Sequence, residues 1–222
     1  MASACDFGAL DGPDPLARMN NNDRQRTSAA GSLGSDAAFD AVYDDGIRAL
    51  SEQHWTPMAV AGRAARLLAL AGAKRILDIG SGAGKFCIVG ALCTAAEFVG
   101  VERRAGLVEV ARRAASGLGA SRATFVHAKV EAFSFSGFDG FYLYNPFYEH
   151  ISEKLLNIDG VVERTPKAHR SVIRATAERL RSAAPRAFVV TFHGSGGVMP
   201  RSYRFLGDEL AGNDRLEVWV KE

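Results

Sequence analysis

The stretch Ile76-Leu77-Asp78-Ile79-Gly80-Ser81-Gly82-Ala83-Gly84-Lys85 constrains the fold more than any other part of the chain. An apolar, β-branched run passes into Gly-x-Gly-x-Gly and then, with no spacer, into an apolar helical sequence. A strand, a tight turn and a helix are therefore expected in immediate succession. Glycines suit such a turn because a side chain would keep a ligand from the backbone, and some positions need positive φ. The helix that follows aims its first N–H groups at the same spot, which favours a carboxylate or a phosphate. By itself a glycine-rich turn does not name a cofactor.

The rest of the chain repeats this unit. Apolar, β-branched or aromatic runs at 75–79, 97–101, 123–127, 138–144 and 187–192 lack strict alternation, as strands covered on both faces do. Helices are expected at 85–95, 105–118 and 166–182. This predicts an α/β fold with a doubly wound, mostly parallel sheet. At the C-terminal end, 202–206 and 215–221 read as strands joined by 207–214, too short for a helical crossover. A C-terminal antiparallel hairpin is expected there.

Ahead of the sheet the chain divides into two parts. Residues 1–35 are rich in Gly, Ser, Ala, Asn and Asp and offer too little apolar surface to offset ordering, so they read as a disordered tail. Residues 36–222 form the single expected domain, opening with an N-terminal helical extension. Ala37, Ala38, Ala41, Val42, Ile47 and Leu50 fit one short amphipathic helix. Thr56-Pro57 reads as the start of the next, with threonine as cap and proline at the first helical position, and Gly72 ends it.

A length of 222 residues suits one α/β domain with an extension, and a net charge of +2 gives no argument for a polyanionic partner. Of the three cysteines, Cys87 and Cys93 fall in an apolar helical stretch and read as small core thiols, with no metal-type spacing. No apolar run reaches the ~20 residues of a membrane span, and no signal-peptide pattern opens the chain. These readings predict a cytoplasmic protein with no membrane contact.

Two acids give the glycine turn its chemistry. Asp78 sits at the end of the first strand, where a carboxylate can hold an ammonium group directly or through water. Glu102 ends the second, where an acid can accept both hydroxyls of a ribose. Asp78 through Lys85, together with Glu102, resemble the first two motifs of class I, seven-stranded, S-adenosylmethionine-dependent methyltransferases. The likeness extends over roughly residues 52–221, terminal hairpin included. It implies S-adenosyl-L-methionine as cofactor, with Gly80, Ser81, Gly82 and Gly84 along it.

Two further stretches are similar to the members that act on amino groups. His54-Trp55-Thr56-Pro57 resembles the Thr-Pro element before their first strand, which implies that Trp55 and Thr56 lie near the methionyl end of the cofactor. Tyr144-Asn145-Pro146-Phe147-Tyr148 resembles their Asn-Pro-Pro-Tyr/Phe motif, with Phe147 in place of the second proline. Asn145, Pro146 and Phe147 are then the catalytic candidates, and Asn145 also borders the cofactor. An amide oxygen and a backbone carbonyl can accept the hydrogens of a nitrogen and so aim its lone pair. Phe147 or Tyr148 can face the developing positive charge. The implied methyl acceptor is an amine, with a protein lysine ahead of a nucleic acid or a small molecule.

One position departs from the resemblance. After the third strand, Lys129 stands where the family has an acid that accepts from the adenine amino group, and Lys129 cannot accept. Glu131, or the backbone around Val130, is the expected substitute. The five histidines show no paired ligand spacing, so no metal is expected. Tyr148-Glu149-His150 reads as a solvated helix start able to supply a base, and Arg170, Arg174, Arg179 and Arg181 as an exposed helix face. Two other functions share the glycine turn, an NAD(P)-dependent oxidoreductase and a cofactor-binding scaffold without catalysis. The absence of a Tyr-x-x-x-Lys pair and the presence of the hairpin weigh against the oxidoreductase.

Overall fold

The computed structural model describes residues 35–145, 147–152 and 162–222. The tail assigned to 1–35 lies, apart from Ser35, outside the described residues, as does Pro146. Seven strands form one sheet in the order β3-β2-β1-β4-β5-β7-β6. Five are parallel: β1 (Arg75–Ile79), β2 (Glu97–Glu102), β3 (Ala123–His127), β4 (Gly140–Tyr144) and β5 (Phe188–Phe192). The hairpin of β6 (Tyr203–Ala211) and β7 (Asp214–Lys221) adds antiparallel to β5. The sheet is the doubly wound form expected from the sequence.

Helices cover both faces, which explains the unbroken apolar runs. On one face α4 (Met58–Leu70), α5 (Lys85–Cys93) and α6 (Ala105–Gly117) pack Leu68, Ile88 and Val108 with Ile76, Phe98 and Tyr142. On the other, α7 (Pro166–Arg181) sets Val172 and Leu180 against Leu77, Phe141, Leu143 and Val189. Strand order reverses between β1 and β4, so a crevice opens at their C-terminal ends, the place where such sheets bind ligands.

The N-terminal extension departs from the sequence reading. The single amphipathic helix is instead three short ones: α1 (Asp36–Asp40), α2 (Asp45–Arg48) and α3 (Ser51–His54). The Asp44 carboxylate accepts from the Ile47 N–H and caps a new start, an alternative that aspartate offers the backbone more readily than helix interior. The next helix begins at Met58, not at Pro57, and Thr56 does not cap it. Its hydroxyl pairs instead with the Tyr142 hydroxyl at 2.9 Å, inside the core. The Met58 N–H is met by Asp36 Oδ1 at 2.9 Å, a cap supplied from α1.

The hairpin is longer than expected. Gly207 had been placed in its connection, yet it lies within β6 beside a register shift between Phe205 and Gly207. The turn falls after Ala211, where Gly212 takes φ 62°. Glycine marks a bulge in the first case and a turn in the second.

Candidate functional site

A cleft of about 140 Å³ lies over the C-terminal ends of β1, β2 and β4. Ligand sites commonly span roughly 300–1,000 Å³, so this one is narrow. The glycine loop accounts for the narrowing. The Gly82 N–H donates to Glu102 Oε2 at 3.1 Å, and a Cβ on Gly82 would lie 3.0 Å from the Trp55 indole nitrogen. Trp55 therefore rests on the loop from above.

The N-terminal extension holds Trp55 there. Lys85, in the first turn of α5, is 3% exposed and pairs with both Asp36 and Asp40 of α1. A cation at a helix N-terminus is unfavourable, and the two carboxylates offset it. The Tyr43 hydroxyl donates to the Ala83 carbonyl at 3.0 Å, and its ring lies 5.1 Å from that of Trp55. Three short helices are thereby fastened to the glycine turn.

Asp78 of β1 pairs with Gly100 of β2, two residues before Glu102, and the two acids have different surroundings. Asp78 is buried beneath the loop, and its only hydrogen bond among the described residues is a long one from the Cys87 thiol, at 3.5 Å. Burial pushes its carboxyl up to about 7; the thiol offsets part of this and the charge of Glu102 adds to it. Glu102 is also buried, and burial raises it as well. The Arg104 N–H on Oε1 at 2.9 Å, the nearby Arg104 guanidinium and the Gly82 N–H oppose that rise.

The remaining expected residues divide into those on the cleft and those behind it. Trp55, Gly80, Gly82, Glu102, Lys129, Val130, Asn145 and Phe147 border the cleft. Thr56, Asp78, Ser81 and Gly84 are not among its lining residues. Gly84 has a packing reason instead: it takes φ 86°, and a Cβ would lie 2.6 Å from the Phe125 ring and 2.8 Å from Ala111. The Ser81 hydroxyl is buried without a hydrogen-bond partner among the described residues.

At the end of β4, Asn145 takes φ 40° and Phe147 φ 63°. The Asn145 N–H donates to Phe192 O at 2.9 Å, and its carbonyl accepts from Tyr148 N at 3.3 Å. Its backbone is thus fixed, while its side chain borders the cleft. Aromatic surface surrounds it: Tyr144, Phe147, Tyr148 and Trp55 all line the same space.

Sequence reasoning missed several residues. Arg104 bridges the cleft, bonding Glu149 Oε1 at 2.6 Å. His150 is not solvated: it is 6% exposed, and its Nδ1 lies 2.7 Å from the Glu163 carbonyl. His193, at φ 62°, follows β5, with its Nδ1 hydrogen-bonded to the Asp214 carboxylate, and lies 5.5 Å from the Tyr144 ring. Arg179 does not simply face solvent, since it bonds the Glu131 carbonyl at 2.5 Å. None of these pairings has a local sequence signal, because each joins residues from different elements.

Residues 70–164 match a sequence family described as a methyltransferase domain. No curated protein matches the chain. Among solved structures, an RNA methyltransferase from Salinibacter ruber in complex with S-adenosyl-L-homocysteine aligns at TM-score 0.54 and 22% identity, over 75% of this chain and 92% of that one. A putative O-methyltransferase from Klebsiella pneumoniae aligns at 0.55 and 17%, over 89% and 96%. An O-methyltransferase from Bacillus cereus in complex with S-adenosylhomocysteine aligns at 0.55 and 13%, over 90% and 97%. The fold is that of the class I S-adenosylmethionine-dependent methyltransferases. The oxidoreductase alternative is not favoured, and the amino-group branch of the methyltransferases is not singled out by these relatives. Among the described residues no group of side chains is arranged to hold a metal ion, and no helix is long and apolar enough to cross a membrane.

Groups that suit this cofactor border the cleft. Glu102 accepts N–H groups from Gly82, Arg103 and Arg104, and a carboxylate with about four lone-pair sites can still accept a hydroxyl. Gly80, at φ 83°, has open space where a Cβ would stand, so its backbone is approachable.

Proposed function

We propose that this methyltransferase transfers the methyl group of S-adenosylmethionine to a nitrogen, with a protein amine as the acceptor. The observation that carries this reading is Asn145. Its backbone is pinned in a left-handed conformation, and its amide borders the cleft without a hydrogen bond to another described residue. A polar side chain so placed can accept an N–H and turn the nitrogen lone pair toward the reacting carbon. Methyl transfer requires this, with reacting atoms ~3–3.5 Å apart and aligned.

The cofactor when bound supplies an electrophilic methyl group, and the chain supplies the orientation. Glu102 accepts from the ribose hydroxyls, and Asp78 acts on the ammonium from beneath the glycine loop. Trp55 and the glycine loop exclude water. Lys129 leaves the adenine edge to the Val130 backbone and Glu131. Phe147, Tyr148 and Tyr144 present ring faces to the positive charge that grows on the nitrogen. Tyr148 and Ile151 are also exposed near the mouth, which suits contact with a polypeptide.

The structural neighbours include RNA and O-methyltransferases, so the acceptor needs a direct test. Purified protein is incubated with tritiated S-adenosylmethionine and a cell lysate, and the protein, RNA and small-molecule fractions are counted. Label in protein that survives alkali and appears as N-methyl amino acids supports the proposal. Label confined to RNA, or released by alkali as from esters, overturns it.

A further inference from the structure

His150 was expected at a solvated helix start, and its burial raises the question of what it does. It closes the 3₁₀ turn Tyr148–His150, one turn beyond Asn145, with its own N–H on the Phe147 carbonyl at 3.0 Å. It borders the same cleft as Asn145 and Tyr148. Its Nδ1 lies 2.7 Å from the Glu163 carbonyl oxygen, which only accepts. Nδ1 therefore carries the hydrogen, and in the neutral ring the lone pair is at Nε2. Because the Nδ1 edge is committed to Glu163, the edge left for the cleft is the one that carries Nε2.

We propose that His150 is the general base that takes the proton the acceptor sheds on methylation; this rests on the nitrogen reading above. The nitrogen lone pair forms the new bond to the methyl carbon. The carbon–sulfur bond breaks with its electron pair left on sulfur, so the sulfonium becomes a neutral thioether. The proton that the acceptor ammonium gives up to free this lone pair passes to His150 Nε2, and the methylated nitrogen leaves as an ammonium. The imidazolium keeps its Nδ1–H on the Glu163 carbonyl and later releases the Nε2 proton to solvent.

The surrounding charges are compatible with this. On the same turn Glu149 is paired with Arg104, the N-cap of α6. From α7, His169 stands 6.4 Å away, ring to ring. Burial, then His150 and Arg170, lower its pKa. Across the cleft the further titratable lining is His54, Glu102, Arg103, Lys129 and Glu131, with Tyr144 and Tyr148 beside them.

The test has two parts. First, single-turnover methyl transfer to lysate protein is measured from pH 6 to pH 9 for the wild type, His150→Gln, His150→Phe and His169→Gln, with S-adenosylhomocysteine affinity measured on each. Removing a general base lowers rate by about 10²–10⁴-fold. Both His150 variants should fall by about a hundredfold at pH 7 and recover part of that at pH 9, with affinity unchanged and His169→Gln near wild type. A wild-type rate in both His150 variants overturns the proposal, as does an equal loss at every pH with weakened affinity. Second, ¹⁵N NMR of the wild-type imidazoles reads the tautomer. A neutral His150 protonated at Nε2 overturns the proposal whatever the acceptor. If no nitrogen is labelled but oxygen is, the nitrogen reading fails while the same variants still judge His150.

Discussion

Two rims above the sheet, each partly lining the cleft, reach left-handed backbone with different residues. Over β1 and β2, Gly80, Gly82 and Gly84 take φ 83°, 53° and 86°. Over β4 and β5, Asn145, Phe147 and His193 take φ 40°, 63° and 62°. Glycine occupies that region without steric penalty. A non-glycine residue there costs about 1–3 kcal/mol and persists only where its surroundings impose it. On the first rim glycine leaves the backbone bare, and at Gly84 a side chain would meet Phe125 and Ala111. On the second, side chains are retained despite the strain, which is the pattern expected where they act on a substrate.

The largest test of this contrast is Gly84→Ala. It combines positive φ with a Cβ 2.6 Å from Phe125, and overpacking alone costs about 1–3 kcal/mol. A loss of roughly 3–5 kcal/mol is expected in urea unfolding. A loss below about 1 kcal/mol would mean that the first rim tolerates side chains and that the contrast is false.

Next comes Asn145→Ala beside Asn145→Gly. Removing one oriented hydrogen-bonding group lowers kcat by about a hundredfold, with little change in cofactor affinity. Glycine also relieves the strain, so it should fold at least as well as wild type and be as slow as alanine. Near-normal turnover in either variant would reduce Asn145 to a strand-end turn residue.

Glu102→Ala should weaken binding of S-adenosylhomocysteine by about 2 kcal/mol in calorimetry, the scale for hydrogen bonds to a charged group. Unchanged affinity would show that Glu102 serves only to fold the loop through Gly82 and Arg104.

The smallest effect is that of pH on Asp78. Its folded pKa is raised to about 7, so it is protonated below that value and ionised above it. A protonated carboxyl cannot pair with the cofactor's ammonium. Affinity should therefore fall as pH drops, by about tenfold between pH 8 and pH 6, or ~1.4 kcal/mol. In Asp78→Asn that dependence should vanish. A flat wild-type profile would assign Asp78 to the core rather than to the site.

Most of the sheet was legible because its signal is local. Strands β1 and β3 fall at their expected limits, and the others within one or two residues apart from the far end of β6, since apolar runs between turn residues need no distant information. The errors arose where a polar side chain had a choice of partners. Thr56 could cap a helix or meet Tyr142, Asp44 could ride a helix or start one, and Gly207 could turn or bulge. Each was decided by a residue far along the chain. For the same reason the sequence pointed to Glu102 and Asn145, which occupy motif positions, but not to the Arg104–Glu149 bridge or the buried His150.

Lys85 has a further consequence for how the chain is made. Its partners Asp36 and Asp40, and the Tyr43 that grips Ala83, leave the ribosome before it does. Until α5 emerges those acids have no buried cation to meet, and three helices of four or five residues are too short to persist alone. Synthesis runs from this segment toward the sheet, but docking must wait for the first strand, turn and helix to form. The wall of the cleft that is translated first is the one that closes last.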